Sequence, residues 1–163
     1  MTKIKDKVVW LTGASSGIGE QLAYQLAEKG AKLIVSSRRK EELDRVKEAC
    51  KSAEVAVLPI DLADSFALPQ KAKEAETIFG QVDILINNGG ISQRDTILNT
   101  DLEVDRKLME VNYFGSIALS KSLLPAMVKR KSGHHVIVTS TVGIINTPYR
   151  SGYGASKHAL HGF

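Results

Sequence analysis

Apolar positions along this chain alternate between two spacings. Short β-rich runs, Val8-Val9-Trp10-Leu11-Thr12 and Leu33-Ile34-Val35-Ser36, enclose a segment in which Ile18, Leu22 and Leu26 recur at helical intervals. The alternation continues with Leu43 and Val46 on a charged helix, a strand over 55–60, a helix over 68–79 and the strand Asp83-Ile84-Leu85-Ile86. A long helix over 102–130 then leads into Val136-Ile137-Val138-Thr139. Five strands separated by helices predict an α/β fold with a doubly wound parallel sheet and helices on both faces, because parallel neighbours need crossover connections. The expected strand order is 3-2-1-4-5. No Pro/Gly/Ser-rich linker, internal repeat or low-complexity block divides the chain, so 1–163 reads as one domain. Residues 149–163 read as the first turns of another helix, inside which the chain stops.

Composition narrows the classes. A chain of 163 residues with 43% hydrophobic content suits a packed core rather than disorder. Its net charge of +4 is spread along the sequence and points no further than to anionic ligands. The single cysteine, Cys50, cannot form an internal disulfide, which implies a reducing, cytoplasmic setting. No charged-then-apolar leader opens the chain, and no apolar run approaches the ~18 residues of a membrane span. His134 and His135 enter a strand on opposite faces without ligands at metal-binding spacing, so no metal is expected. Lys129-Arg130-Lys131 ends a long helix where the helix dipole favours cations, so no nucleic acid is expected either.

The densest glycine cluster, Thr12-Gly13-Ala14-Ser15-Ser16-Gly17-Ile18-Gly19, lies directly between the first strand and the first helix. A dinucleotide pyrophosphate can meet a helix N-terminus there. The spacing is G-x-x-x-G-x-G rather than G-x-G-x-x-G, and a bare three-glycine turn also serves as a tight loop. In this place, T-G-x-x-x-G-I-G resembles the opening motif of the short-chain dehydrogenase/reductase (SDR) family. The resemblance implies a Rossmann-type NAD(P)-binding domain, with Gly13, Ser15, Ser16, Gly17, Ile18 and Gly19 binding the cofactor. It also implies that the family's later strands and substrate loop lie outside this chain, which would make it truncated after the start of the active-site helix.

The end of the second strand selects the dinucleotide. An acidic residue there grips a ribose 2′-hydroxyl, whereas a basic one accommodates a 2′-phosphate. This chain reads Ser36-Ser37-Arg38-Arg39. With no carboxylate to repel a phosphate, and with the planar fork of Arg38 beside Arg39, NADP(H) is favoured and NAD(H) is the alternative. Both arginines also fit the start of a solvated helix. Asp61-Leu62 is similar to the family's adenine-contacting pair, although aspartate there is equally a turn residue. Asn87-Asn88-Gly89-Gly90 ends the fourth strand at the topological switch point. The family has N-N-A-G here, which implies cofactor contacts from Asn88, Gly89 and Gly90, while Asn-Gly is also a common turn signal. Gly89 in place of alanine removes a methyl group and adds backbone freedom.

Tyr153 and Lys157 stand four residues apart and share one helix face. An ammonium beside a phenol favours the phenolate, so Tyr153 can pass a proton to or from a substrate oxygen. Ser140 follows the fifth strand thirteen residues before Tyr153, at the sheet edge where open α/β folds bind ligands. Thr139 and Thr141 flank it as rivals, and the family pattern implies serine at that spacing as the residue that polarises a carbonyl. Asn112 and Gly115 are poor helix formers inside the long helix and point to a functional kink there. The family carries a catalytic asparagine in this V-N-x-x-G setting, where it anchors a proton-relay water linking the lysine to solvent. The resemblance further implies that Tyr153 and Lys157 contact the cofactor.

Together these motifs imply hydride transfer between a nicotinamide and a small carbonyl compound or its alcohol. The apolar residues of the long helix exceed what one sheet face needs, and the resemblance implies a homodimer or homotetramer. Residues 87–94 (N-N-G-G-I-S-Q-R) and the A-S-K-H-A-L segment are similar to the dehydrogenase/reductase member 7 subgroup. That subgroup is associated with lipophilic carbonyl substrates, and some of its members carry an N-terminal membrane anchor. A non-catalytic dinucleotide-binding scaffold is the alternative. Nucleotide-sugar epimerases and dehydratases use Tyr and Lys similarly, but with a G-x-x-G-x-x-G spacing that this chain does not show.

Overall fold

The structure, a computed structural model, describes residues 3–51 and 53–163. Strand β1 (Val8–Thr12) is followed by α1 (Gly17–Glu28), β2 (Lys32–Ser36), α2 (Lys40–Ala49), β3 (Val55–Val57), α3 (Leu68–Phe79) and β4 (Ile84–Asn87). Helix α4 (Leu102–Met109), a π-helical turn (Glu110–Phe114) and α5 (Gly115–Lys129) come next. They lead to β5 (His134–Ile137), a 3-10 turn (Thr141–Gly143) and α6 (Ser151–Gly162). All strand pairs are parallel, in the order β3-β2-β1-β4-β5 expected from the alternation.

The central strands are buried on both faces, as crossover helices on both sides require. Successive residues of β1 feed opposite cores. Val9 and Leu11 pack with Ala23, Leu26, Leu43 and Val46 of α1 and α2, whereas Trp10 packs with Leu68, Ala72, Leu119 and Leu123 of α3 and α5. Trp10 brings a polar atom into that core, and its indole N–H donates to Ser36 Oγ at 2.8 Å. Ser36 Oγ in turn donates to the Leu58 carbonyl at 2.6 Å, so the Trp10 indole N–H and the Ser36 hydroxyl both have acceptors. At the opposite end of the sheet, Asp83 Oδ2 accepts the Val8 amide at 2.9 Å and fixes where β1 begins.

Three boundaries differ from the sequence reading. The third strand ends at Val57 rather than at residue 60, and Pro59 just beyond it is tolerated because alternate amides of an edge strand face away from the sheet. The chain nevertheless stays alongside β2, with Leu58 and Ile60 amides donating to Val35 and Ser37 carbonyls at 3.0 Å each. The fifth strand sits at His134–Ile137, in register with Ile84–Asn87, rather than at 136–139. The long helix over 102–130 is not one α-helix, since the π-helical turn divides it at Asn112.

A close approach follows that turn. A Cβ on Gly115 would lie 2.5 Å from the Leu62 carbonyl oxygen and 2.9 Å from Leu62 Cβ, so α5 can begin against Leu62 only with glycine there. The extra residue of the π turn rotates Val111 and Asn112 inward, and both are buried.

Candidate functional site

The C-terminal ends of β1 and β4 lie side by side, and the loops that follow them lock together. Thr12 Oγ1 accepts the amides of Asn88 (3.1 Å) and Gly89 (2.9 Å) while donating to the Ile86 carbonyl (3.3 Å). Asn88 Nδ2 donates back to the Thr12 and Gly13 carbonyls at 3.0 and 3.3 Å. Two glycines make this approach sterically allowed. Gly13 has a φ of +66°, and a Cβ there would lie 2.7 Å from Gly89 Cα. A Cβ on Gly19 would fall 2.6 Å from Asn88 Nδ2 and inside the Gly13 carbonyl oxygen.

A cleft of about 440 Å³ opens above this junction. Gly13, Ser15, Ser16, Ile18 and Gly19 line one side, and Asn88, Gly89 and Gly90 another. Arg38, Arg39, Asp61 and Leu62 complete the wall. Gly17 is not part of this lining; its φ of +57° carries the chain into α1. Asp61 lines the cleft, and its Oδ1 accepts the Ala63 amide at 3.0 Å, as in a turn. Arg39 leans inward to donate to Ser15 Oγ at 3.4 Å, and Arg45 of α2 donates to the Ser15 carbonyl at 3.4 Å while pairing with Glu20 at 2.7 Å. The Arg45 guanidinium and the Tyr24 hydroxyl hold the Glu20 carboxyl down to about 2. Where the family has alanine, Gly89 leaves a space that Leu62 Cδ1 occupies, 2.6 Å from the position of the missing methyl.

The residues expected to react stand outside that lining, and two of them, Asn112 and Lys157, meet behind Gly90. Asn112 is buried, with its Oδ1 accepting the Ile91 amide at 2.8 Å and its Nδ2 donating to the Ile91 carbonyl (3.0 Å) and Ser156 Oγ (2.9 Å). A Cβ on Gly90 would lie 3.0 Å from Asn112 Oδ1 and 3.7 Å from Lys157 Nζ, so this glycine brings the loop, the π turn and α6 together. Lys157 is 5% exposed and donates to the Val138 carbonyl at 2.9 Å. Its ammonium lies 5.9 Å from the centroid of the half-buried Tyr153 ring. Ser140 caps the 3-10 turn, with its Oγ accepting the Val142 amide at 3.4 Å. The same turn packs on α6, since a Cβ on Gly143 would lie 3.0 Å from Lys157 Cβ.

Residues 7–163 match the family model described as short chain dehydrogenase. The chain belongs to the short-chain dehydrogenase family. It is 50% identical over 167 aligned positions to dehydrogenase/reductase SDR family member 7 of Homo sapiens, covering 99% of this chain and 49% of that protein. It is 47% identical to a dehydrogenase/reductase SDR family protein 7-like of Drosophila melanogaster, covering 99% of this chain and 51% of the other. A short-chain dehydrogenase of Streptomyces avermitilis superposes with a TM-score of 0.91 at 33% identity, covering 96% of this chain and 57% of that one. One from Burkholderia phymatum, solved in complex with NAD, gives 0.94 at 27% identity and covers 99% and 59%. The chain spans about half the length of the curated relatives it matches.

Several residues of this short-chain dehydrogenase site had no assigned role in the sequence reading. Thr12 ends the first strand and opens the glycine motif, and its clasp on Asn88 and Gly89 joins segments 76 and 77 residues apart with no local signature. Ser156 was quoted only as a letter of the Tyr153 segment, and its bond to Asn112 spans 44 residues with no local signature. Ser37, Ile91 and Val111 also line the cleft. Among the described residues, no helix is long and apolar enough to cross a membrane.

The buried lysine has a measurable consequence. Desolvation holds the Lys157 pKa below the ordinary lysine value of 10.5. Below the lowered value the ammonium is charged in both states, and the fold bears the full burial penalty. As pH rises through that value toward 10.5, the folded protein releases its proton first and gains stability relative to the unfolded chain. Lys157→Met lacks this gain. Its stability advantage over the parent is therefore expected to be largest near neutral pH and to shrink toward pH 10.5, as urea midpoints across a pH series would show.

Proposed function

We propose that this chain is the dinucleotide-binding part of an NADP(H)-dependent oxidoreductase that reduces a carbonyl compound or oxidises the corresponding secondary alcohol, with Tyr153 as acid/base. The observation that carries the reading is the convergence of Lys157, Asn112 and the Gly90 loop beside Tyr153, at the edge of the sheet where the glycine-rich cleft opens. The cleft fits a dinucleotide because its floor has no Cβ at Gly13, Gly19 or Gly89, so backbone amides can approach a pyrophosphate directly. Gly13, Ser15, Ser16, Ile18 and Gly19 would hold the phosphates, with Gly17 turning the chain into α1, Asp61 and Leu62 the adenine, and Asn88, Gly89 and Gly90 the part nearer the reacting end. The bound nicotinamide supplies or accepts the hydride.

This chain's own residues handle the oxygen and the proton. Tyr153 donates its phenolic proton to the carbonyl oxygen as negative charge develops there, and Ser140 donates a second hydrogen bond to the same oxygen. Lys157 supplies positive charge beside the phenol and holds the nicotinamide ribose. Asn112 fixes the Ile91 loop through both ends of its carboxamide and supports the proton relay from the lysine side. The lone thiol of Cys50, buried at the end of α2, fits a cytoplasmic, reducing setting.

Arg38 and Arg39 support NADP(H) over NAD(H), since β2 ends without a carboxylate and both guanidiniums border the cleft. NADPH is expected to bind more tightly than NADH, and Arg38→Asp to reverse the order. Equal affinities in the parent by fluorescence titration would overturn the assignment.

A homo-oligomer fits the outward apolar residues Leu102, Phe114, Leu124 and Val128 along α4, the π turn and α5. Light scattering on the full-length protein is expected to give a dimer or tetramer, and a monomer counts against it.

Tyr153→Phe removes the transferable proton and keeps the ring, so cofactor binding should survive while turnover collapses in the full-length protein. Lys157→Ala should damage both, and Ser140→Ala should lower turnover by about 100-fold, the scale of losing an oxyanion donor. NADPH oxidation with a panel of ketones and aldehydes, alongside cofactor titration, checks all three. Parental turnover in Tyr153→Phe would overturn the acid/base role of Tyr153, whereas a parent that binds cofactor and turns over none of the panel would put the scaffold reading ahead.

A further inference from the structure

Arg150 sits one helical turn before Tyr153, and the fold goes to some length to hold it there. Tyr149 adopts a φ of +65°, unusual for a residue with a side chain, and this bend turns the chain so that Arg150 caps α6. The Arg150 carbonyl accepts the Gly154 amide at 2.7 Å, and the Tyr149 carbonyl accepts the Asp95 amide at 3.1 Å. The guanidinium lies 5.7 Å from the Tyr153 ring centroid, and one of its Nη atoms donates to Ser92 Oγ. Ser92 belongs to a loop folded on its own side chains. Gln93 Nε2 donates to Thr100 Oγ1 at 2.8 Å, and Thr100 Oγ1 to the Thr96 carbonyl at 2.8 Å.

Charge is what this arrangement leaves open. A guanidinium offers five N–H donors in a planar fork, and Ser92 takes one. No carboxylate lies within 4.0 Å of Arg150 among the described residues, although Asp95 and Asp105 stand on the two segments packed around it. Asp95 Oδ1 is engaged by the Thr96 amide at 2.7 Å, and Asp105 is turned to Gly152. Arg150 is thus a half-buried cation without a counter-ion among the described residues, over the ring of the tyrosine assigned the acid/base role. A half-buried charge is costly until an anion meets it, and a planar fork is matched by a carboxylate.

We propose that Arg150 is a specificity-determining residue that binds the carboxylate of an oxo acid whose ketone oxygen is held by Tyr153 and Ser140. This rests on the oxidoreductase reading above and adds the substrate class: a ketone with a carboxylate a few bonds from its carbonyl carbon. The short path from guanidinium to ring favours compact substrates. The Ser92 contact keeps the fork in place before the substrate arrives, which limits the ordering cost of binding.

The test compares each of 2-oxohexanoate, 4-oxopentanoate and 5-oxohexanoate with its methyl ester in the full-length protein, by NADPH oxidation. At least one acid is expected to exceed its ester in kcat/KM by about 30-fold, the scale of one charge-assisted bidentate pair. Arg150→Met should collapse that acid-to-ester ratio, and Arg150→Lys should restore part of it, since a point charge cannot pair bidentately. A readout without turnover is calorimetric titration of hexanoate and hexanamide into protein saturated with NADP+. Hexanoate is expected to bind more tightly in the parent, and Tyr153→Phe should keep that preference even as turnover is lost. Esters reduced as well as acids, or equal binding of hexanoate and hexanamide to the parent, would overturn the proposal while leaving the oxidoreductase reading standing. Retained turnover in Tyr153→Phe would instead remove Tyr153 from the acid/base role, and a parent that oxidises no NADPH with any of these substrates would remove the oxidoreductase reading, the anion site then resting on the titration.

Discussion

The junction of Thr12 and Asn88 is the constraint from which the rest of the site is built. One hydroxyl takes two backbone amides from the loop after β4, and one carboxamide returns two bonds to the turn after β1. Both loops lie at the carboxyl edge of adjacent parallel strands, where the sheet order reverses and a crevice opens. The backbones come so close that neither Gly13 nor Gly19 has room for a methyl group. Glycine there serves distance as much as flexibility, and the floor it creates is made of peptide groups that can face a phosphate.

A second close approach builds the reacting end. Gly90 brings its loop against Asn112 and Lys157, and Gly115 brings α5 against Leu62. Leu62 also fills the space left by Gly89. The π turn is what lets these contacts coexist, because it aims Asn112 inward and still delivers α5 to the face of the sheet. Its position in the middle of a long helical run is a local irregularity that the surrounding packing over-determines.

The electrostatics follow from the same geometry. Lys157 is buried at a cost in stability, with one carbonyl as its hydrogen-bond partner, and Arg150 approaches the same ring from the helix start. Two cations near one phenol, neither paired with a carboxylate, are poor design for a structural helix. They are the arrangement expected where negative charge is to develop or arrive.

Much was legible in the chain itself. Period-two and period-3.6 runs predicted five strands, and the helices between them required parallel pairing; the order 3-2-1-4-5, an expectation that connectivity alone does not decide, is the one the sheet adopts. The glycine spacing after Thr12, the Ser-Ser-Arg-Arg end of β2 and the shared face of Tyr153 and Lys157 are local patterns, readable because neighbours in sequence are neighbours in space. The end of β3 was missed because the chain runs on beside β2 past Val57, with Leu58 and Ile60 still donating to it. The division of the long helix showed as a weakness at Asn112 and Gly115, but the close approach of Gly115 to Leu62 involves another segment. The partners of Asn112, the clasp of Thr12 on Asn88 and the placement of Arg150 against Tyr153 and Ser92 were settled only by tertiary structure. Periodicity and turn chemistry describe how a segment folds on itself; which side chains share a few ångströms across 44, 58 or 76 residues depends on how the sheet and its loops close.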